Sequence, residues 1–171
     1  KDPTDQYAKL YSSDVVNIID RLILPRYGLG QEKYERKNLL ETLTVDENGV
    51  KENLSRAGTR LIGFARTNLF KRLESSGYSF LLSISRHILR NYLFLYAIEN
   101  NLPFPIGKQE SGAIDDFMYT DQDEDTSQQL GFLDPKSDFM EQAKEYYASL
   151  QRKRHKYQWI RSELFSDKFQ G

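Results

Sequence analysis

An all-α fold is predicted by two observations. Apolar residues recur every three or four positions over most of the chain, and no stretch alternates convincingly between apolar and polar residues. The 171 residues, 13% of them aromatic, suffice for one well-packed domain. We therefore expect an irregular helical bundle with a long central pair of antiparallel helices and an acidic loop. We take residues 1–171 as a single helical domain and expect it to be cut from a larger protein, because the sequence starts without a methionine.

The first 52 residues predict two helices followed by a turn. Residues 4–24 carry apolar side chains at helical spacing, and Pro25 ends the segment. Residues 31–43 predict a shorter helix. Residues 44–52 contain the run Asp-Glu-Asn-Gly, whose composition is typical of turns, so we expect a turn or the tip of a hairpin there.

The central helix pair is assigned to residues 53–75 and 78–100. The break between them is placed at Gly77, with Ser75 and Ser76 bonding to the free groups of the helix ends. Such a short turn favours antiparallel packing. The first helix has one apolar face, formed by Leu54, Ala57, Leu61, Ala65, Leu69 and Leu73. The second is apolar around most of its circumference. We place its core stripe at Leu81, Ile84, Ile88, Tyr92 and Leu95, widened by Leu82, Leu89, Leu93 and Phe94, and its polar face at Ser79, Ser83, Arg86 and Arg90.

The last third predicts a loop and one further long helix. Residues 102–107 are expected to form an extended turn. Residues 108–135 have no apolar period and are expected to form a long acidic loop, partly disordered. A helix is predicted from residue 137 to about 155. Residues 157–165 then predict a connection into a short helix, with Ser162 as its cap.

The sequence excludes several kinds of chemistry. It has no cysteine and only two histidines, which leaves no basis for a thiolate or histidine-rich metal site. Asp121, Asp123 and Asp125 resemble the start of a calcium loop, but Thr126 replaces its glycine and Phe132 its final glutamate. No Gly-rich phosphate loop with a following Lys-Ser/Thr is present. We therefore assign this chain no catalytic residue, no metal site and no cofactor.

No segment of the sequence has the form of a secretory signal or a membrane span. The uncharged apolar runs are all shorter than the ~18–20 residues that a membrane helix needs. We therefore expect a cytoplasmic protein without a membrane partner.

Charge is strongly segregated along the chain, although the formal net charge is only -1. Residues 51–90 contain eight Lys or Arg against two acids, and residues 151–161 contain five Lys or Arg and no acid. Residues 109–135 contain eight acids and no base. This distribution allows a basic surface to face an anionic partner while the whole chain stays near neutral.

The candidate nucleic-acid-binding residues lie on the two central helices. They would neutralise phosphates without reading sequence, and they comprise Arg56, Arg60, Lys71, Arg72, Arg86 and Arg90. A solvated or intramolecularly paired face is the alternative. Arg66 and Arg72 lie nearer the apolar side, which also makes them candidates for buried pairs, for example with Glu74 or Glu99.

Several runs of the sequence resemble bacterial helicase-like proteins. Residues 60–77, RLIGFARTNLFKRLESSG, resemble a stretch of Swi/Snf-type superfamily-two DNA translocases, some of which carry a phospholipase-D-like domain. The resemblance continues through residues 83–91 (SISRHILRN) and 102–107 (LPFPIG), and it resumes at residues 157–160 (YQWI) and 164–165 (LF). It covers about half of the chain.

The resemblance implies a position between the two motor lobes of an ATP-driven parent protein. The elements that bind ATP and Mg²⁺ belong to those lobes and are not in this chain, so the chain itself would not be an enzyme although the parent would be a helicase. Two functions follow. The first is a helical accessory module that contacts the DNA backbone or braces the motor lobes of the same polypeptide. The second is a docking module whose acidic loop and aromatic residues receive a protein partner.

Overall fold

Helices make up most of the structure, a computed structural model that describes residues 10–22, 35–107 and 138–165. Four α-helices lie in these ranges: α1 (Ser13–Arg21), α2 (Val45–Ser75), α3 (Gly77–Glu99) and α4 (Phe139–Arg152). Short 3-10 helices span Lys37–Thr42, Arg154–Lys156 and Ser162–Leu164. The strands are β1 (Phe104–Gly107) and β2 (Tyr157–Ile160). The predicted all-α class is confirmed.

Helix α1 is the described part of the helix expected over residues 4–24. The hydroxyl of Ser12 accepts a hydrogen bond from the Val15 N–H (3.4 Å) and caps the start of the helix. Asp14 in the first turn and Arg21 in the last turn both complement the helix dipole. Ile19 is buried in a cluster with residues from the end of α2 and the start of α3, so α1 packs where the two central helices meet.

Helix α2 begins at Val45, so the turn expected at residues 44–52 is wrong. Thr44 and Glu47 form a capping box: the Thr44 hydroxyl accepts from the Glu47 N–H (3.2 Å), and the Glu47 carboxylate accepts from the Thr44 N–H (3.1 Å). This pair starts a helix where the Asp-Glu-Asn-Gly composition alone favoured a turn. Val50 and Leu54 can then be buried on its core side.

The two central helices meet at Ser76, whose backbone is extended. Its hydroxyl accepts from the Ser79 N–H (3.4 Å), and the Ser75 hydroxyl donates to the Arg72 carbonyl (3.2 Å), so both serines bond to helix ends as expected. Gly77 is not the break but the first residue of α3. The end of α2 and the start of α3 share one core cluster, whereas the start of α2 and the end of α3 share another. Antiparallel packing along the whole pair stays a prediction.

The buried face of α3 differs in part from the predicted one. Leu89, Leu93 and Phe94, expected to widen the core stripe, are buried, whereas none of the five residues of the stripe itself is. Leu81 is exposed, and Ser83, assigned to the polar face, is only 2% exposed. The hydroxyl of Ser83 donates to the Ser79 carbonyl (2.9 Å), which satisfies it inside the protein. The buried apolar side chains of α3 are Phe80, Leu89, Leu93, Phe94 and Ala97. Because α3 is apolar nearly all round, its sequence period could not select the face that its neighbours would cover.

A two-stranded antiparallel sheet corrects the expectation that the chain has no strand. Phe104 pairs with Ile160 and Gly107 with Tyr157, so the predicted extended turn and connection are the two strands of one ladder. Phe104 and Ile160 are almost completely buried. Each strand has only four residues, which is too short to show a period of two, and β1 also carries Pro105. The paired residues are separated by about fifty positions in the sequence. Sequence periodicity therefore missed them.

Other predicted boundaries also change. The helix expected at residues 31–43 is, in its described part, the 3-10 helix Lys37–Thr42. Ser162 is the first residue of its 3-10 helix and not its cap; that position belongs to Arg161, and no side-chain bond caps it. Helix α4 is capped by Asp138, which accepts from the Met140 N–H (2.8 Å). The acidic loop expected at residues 108–135 lies outside the described residues.

The main core lies where α2, α3, α4 and the sheet meet. Phe104 stacks against Phe94 (ring centroids 4.6 Å apart) and Phe165 (5.4 Å). Tyr147 of α4 is 2% exposed, and its hydroxyl donates to the Pro103 carbonyl (2.8 Å). That bond fixes α4 to the segment that enters β1. Its burial raises the pKa of the Tyr147 phenol, which keeps the phenol protonated as the donor.

Replacing Tyr147 with phenylalanine tests this bond. The change removes only the hydroxyl and leaves the Pro103 carbonyl without its donor, so the free energy of unfolding should fall by about 1 kcal/mol. Chemical denaturation followed by circular dichroism would measure it. Tyr78→Phe is the matched control, because Tyr78 is 56% exposed and should show no comparable loss. Equal stability of Tyr147→Phe and the wild type would show that the bond contributes nothing.

Candidate nucleic-acid interface

The six basic residues predicted to bind nucleic acid occupy two helices in different environments. Arg56 and Arg60 lie in the middle of α2, and their side chains are outside the described set. Lys71 is exposed near the end of α2, and Arg72 beside it is half-buried. Arg86 and Arg90 on α3 are half-buried and interact with neighbouring groups of the chain. That the six form one continuous patch stays a prediction.

Arg66 has a structural partner that its sequence context did not suggest. Its guanidinium Nη2 donates to the carbonyl oxygen of Leu22 (2.7 Å), the residue that ends α1. Glu74 and Glu99, suggested as its partners, are both exposed. A cation at the carbonyl end of a helix is favoured by the helix dipole. Arg66 therefore holds α1 against α2 and is not available to a ligand.

Glu47 and Arg161 form an ion pair in which the guanidinium binds the carboxylate at two points. Arg161 Nε lies 2.8 Å from Glu47 Oε1, and Nη2 lies 3.0 Å from Oε2, so the guanidinium binds both carboxylate oxygens. The same Nη2 donates to the carbonyl of Thr42 (2.8 Å). The Glu47 side chain is 7% exposed and that of Arg161 is 41% exposed. The pair joins the start of α2 to the residue that follows β2.

The surroundings of Glu47 keep its carboxylate ionised. The pKa of Glu47 is lowered to about 2, chiefly by the hydrogen bond from the Arg161 side chain and also by the backbone N–H groups of Thr44 and Arg161, against the opposing effect of burial. Such a carboxylate cannot hold a proton near neutral pH, which makes it unsuited to general acid catalysis. We assign the pair a structural role, which also removes Arg161 from the basic surface.

Residues 152–156 carry much of the positive charge of residues 151–161, but nothing in their sequence pattern predicted a site there. This segment, here called the basic turn, has the sequence RKRHK, and all five residues are exposed. It runs from the last residue of α4 through the 3-10 helix that leads into β2. Trp159 contacts the basic turn in two ways. Its indole N–H donates to the Arg154 carbonyl (3.1 Å), and the Arg154 guanidinium carbon lies 5.0 Å from the centroid of its ring.

The basic turn lies next to Gly107, the last described residue before the most acidic segment of the sequence. Gly107 ends β1 and pairs with Tyr157, which directly follows Lys156. Residues 109–135, with eight acids and no base, follow Gly107 in the sequence. The two most highly charged segments are therefore joined to the same end of the small sheet.

No family model, curated protein or solved structure matches this chain. Among residues 10–22, 35–107 and 138–165, no group of three or more His, Asp or Glu side chains is placed to hold a metal ion. Over the same ranges, no helix combines the length and apolarity that a membrane crossing requires.

The ion pair makes a prediction about pH. The pKa of Glu47 is about 2 in the folded state, below its ordinary value of 4.5, so its contribution is complete above pH 5 and is lost as the pH falls towards 2. We expect the free energy of unfolding to fall by about 2–3 kcal/mol over that interval. This is somewhat less than the energy equivalent of the whole change in the Glu47 pKa, because Arg161 is partly solvated. Denaturation curves at a series of pH values would measure it.

Glu47→Gln should be less stable than the wild type at pH 7 and should lose less stability on acidification. Glu99→Gln removes an exposed carboxylate and serves as the control. If Glu47→Gln retained the full pH dependence of the wild type, the ion pair would not be its source.

Proposed function

We propose that this chain is a helical accessory module of an ATP-dependent DNA helicase or translocase. We further propose that it contacts the duplex backbone through the basic face of α2, which consists of Arg56, Arg60 and Lys71. The resemblance of residues 60–77 to Swi/Snf-type helicase-like proteins supports the proposal that the parent protein is a helicase or translocase. The concentration of eight basic residues within residues 51–90 supports an anionic partner. ATP and Mg²⁺ would be bound by the motor lobes of the parent and not by this chain.

The observation that carries the proposal is the unbroken course of α2 over 31 residues. At about 100° and 1.5 Å per residue, positions 56, 60 and 71 fall within about 60° of arc and span about 22 Å of the helix axis. Lys71, the member of this set whose side chain is described, is exposed. A helix that presents cations over this length can reach several phosphates, which gives affinity without sequence preference.

The same face of α2 also supports the second candidate, bracing or docking against protein. Phe64 lies between Arg60 and Lys71 on this face and is 42% exposed. Tyr78 and Leu81, at the start of α3, are exposed as well. Large apolar side chains beside cations are common in protein interfaces. Arg86 and Arg90 already interact within the chain, which suits a bracing element better than a free phosphate contact.

The salt dependence of DNA binding separates the two candidates. Affinity for a short labelled duplex of mixed sequence should fall linearly with the logarithm of KCl concentration. In Arg60→Gln/Lys71→Gln the slope should flatten by about 1.8, because each phosphate contact contributes about -0.9. Fluorescence anisotropy would measure both chains, and circular dichroism would check that the double variant stays helical.

The control variant is Arg21→Gln/Lys144→Gln, which removes the same charge from exposed positions on α1 and α4. Its slope should equal that of the wild type. A folded Arg60→Gln/Lys71→Gln chain with an unchanged slope would exclude the α2 face as the DNA contact, and bracing of the motor lobes would become the better account.

A further inference from the structure

The basic turn, residues 152–156, is the part of the described surface that the proposed function does not use. Its five residues are consecutive and all exposed. Helix dipoles attract basic residues to the last turn, which accounts for Arg152 at the end of α4. That effect fades within one turn and does not account for Arg154, His155 and Lys156, which lie beyond the helix. The helix dipole therefore explains only part of this concentration of charge.

The turn is rigid, which distinguishes it from a flexible basic tail. The Lys156 N–H donates to the Lys153 carbonyl (2.9 Å), and the Lys153 N–H donates to the Leu150 carbonyl (3.0 Å). Trp159 holds the turn from the other side through its bond to the Arg154 carbonyl. The Arg154 guanidinium, placed over the Trp159 ring, also loses less conformational entropy when it binds an anion.

We propose that the basic turn binds the phosphate backbone of duplex DNA through Arg152, Arg154 and Lys156. The partner is polyanionic because three exposed cations lie within five residues and no acid occurs between residues 151 and 161. Arginine matches phosphate geometry through paired N–H donors, and the hydrogen-bonded backbone of the turn keeps the three cations close together.

The aromatic residues beside the turn favour a duplex over single strands or membranes. Single-strand binders stack bases on exposed aromatic rings. Trp159 is only partly exposed, with its ring packed against Tyr147 and Tyr157 and covered by Arg154. Membrane-surface segments combine cations with apolar side chains that insert into lipid, and no residue of the turn is apolar. Contact with the outer phosphates of a duplex requires neither feature.

The inference shares only the kind of partner with the proposed function, because none of its residues lies on α2. It predicts that Arg152→Gln/Lys156→Gln flattens the salt dependence of duplex binding by about 1.8, since two contacts of about -0.9 are removed. Both side chains are exposed, so helical content should match the wild type. The control is again Arg21→Gln/Lys144→Gln, whose slope should not change.

The outcomes separate the two proposals. A flatter slope in Arg152→Gln/Lys156→Gln, with an unchanged slope in Arg60→Gln/Lys71→Gln, supports the basic turn and rejects the α2 face. The reverse result overturns the inference and leaves the α2 face standing. Unchanged slopes in both variants reject both DNA contacts.

Two further measurements cover the remaining cases. If Arg152→Gln/Lys156→Gln fails to fold, the single variant Lys156→Gln decides: a slope flatter by about 0.9 supports the inference, and an unchanged slope overturns it. Co-sedimentation with phosphatidylserine–phosphatidylcholine vesicles tests the lipid alternative. Vesicle binding that depends on Arg152 and Lys156, without binding of the wild type to duplex DNA, would overturn it in favour of lipid.

Discussion

The buried carboxylate of Glu47 is the constraint on which the arrangement of this protein depends. One of its oxygens caps the start of α2 through Thr44, and both bind the guanidinium of Arg161, which lies 114 residues further along the chain. A buried charge without its partner costs several kcal/mol, so the capping box and the ion pair have to form together. The position where α2 begins is thereby tied to the position where β2 ends. A second pair, Lys51 with Glu35 (3.2 Å), fastens the preceding segment to the same helix.

This connection also sets the relation between the two basic surfaces. Arg56 lies about two and a half turns after Glu47 on α2, and the basic turn precedes Arg161 by one short strand. The helix that carries Arg56, Arg60 and Lys71 and the sheet that follows the basic turn are therefore held by the same ion pair. The core formed by Phe104, Tyr147 and their neighbours makes this frame rigid. A protein that is positioned on DNA by phosphate contacts needs its basic residues held at a fixed spacing, which this core and ion pair would provide.

The sequence allowed the helices to be predicted where their apolar period is strong and local. Residues 53–75, 78–100 and 137–155 belong to this class, and the serines between α2 and α3 were recognised from local capping chemistry. The start of α2 was missed because the turn composition around Asn48 and Gly49 outweighed the Thr-x-x-Glu pattern of its capping box. The strands were missed because each is too short to show a period and pairs with a distant partner. The buried face of α3 was predicted only in part, because nearly every face of that helix is apolar: Leu89, Leu93 and Phe94 are buried as expected, but the central stripe is not. The ion pair could not be foreseen, since nothing local to Glu47 points to Arg161.

The candidate arginines of α2 and α3 were proposed from their charge and helical spacing. The charge of the basic turn was counted, but no site was assigned to it, because only the structure shows that the turn is exposed and in contact with Trp159.

A double-mutant cycle between Glu47 and Arg161 tests this account most directly. The unfolding free energies of the wild type, Glu47→Gln, Arg161→Gln and the double variant would be measured at pH 7 by chemical denaturation. If the pair fixes the start of α2 to the end of β2, the two substitutions should couple by about 1.5–3 kcal/mol, with the double variant little worse than either single one. Effects that add to within about 0.5 kcal/mol would mean that the two side chains act independently, and the ion pair would not be the constraint that positions the two basic surfaces.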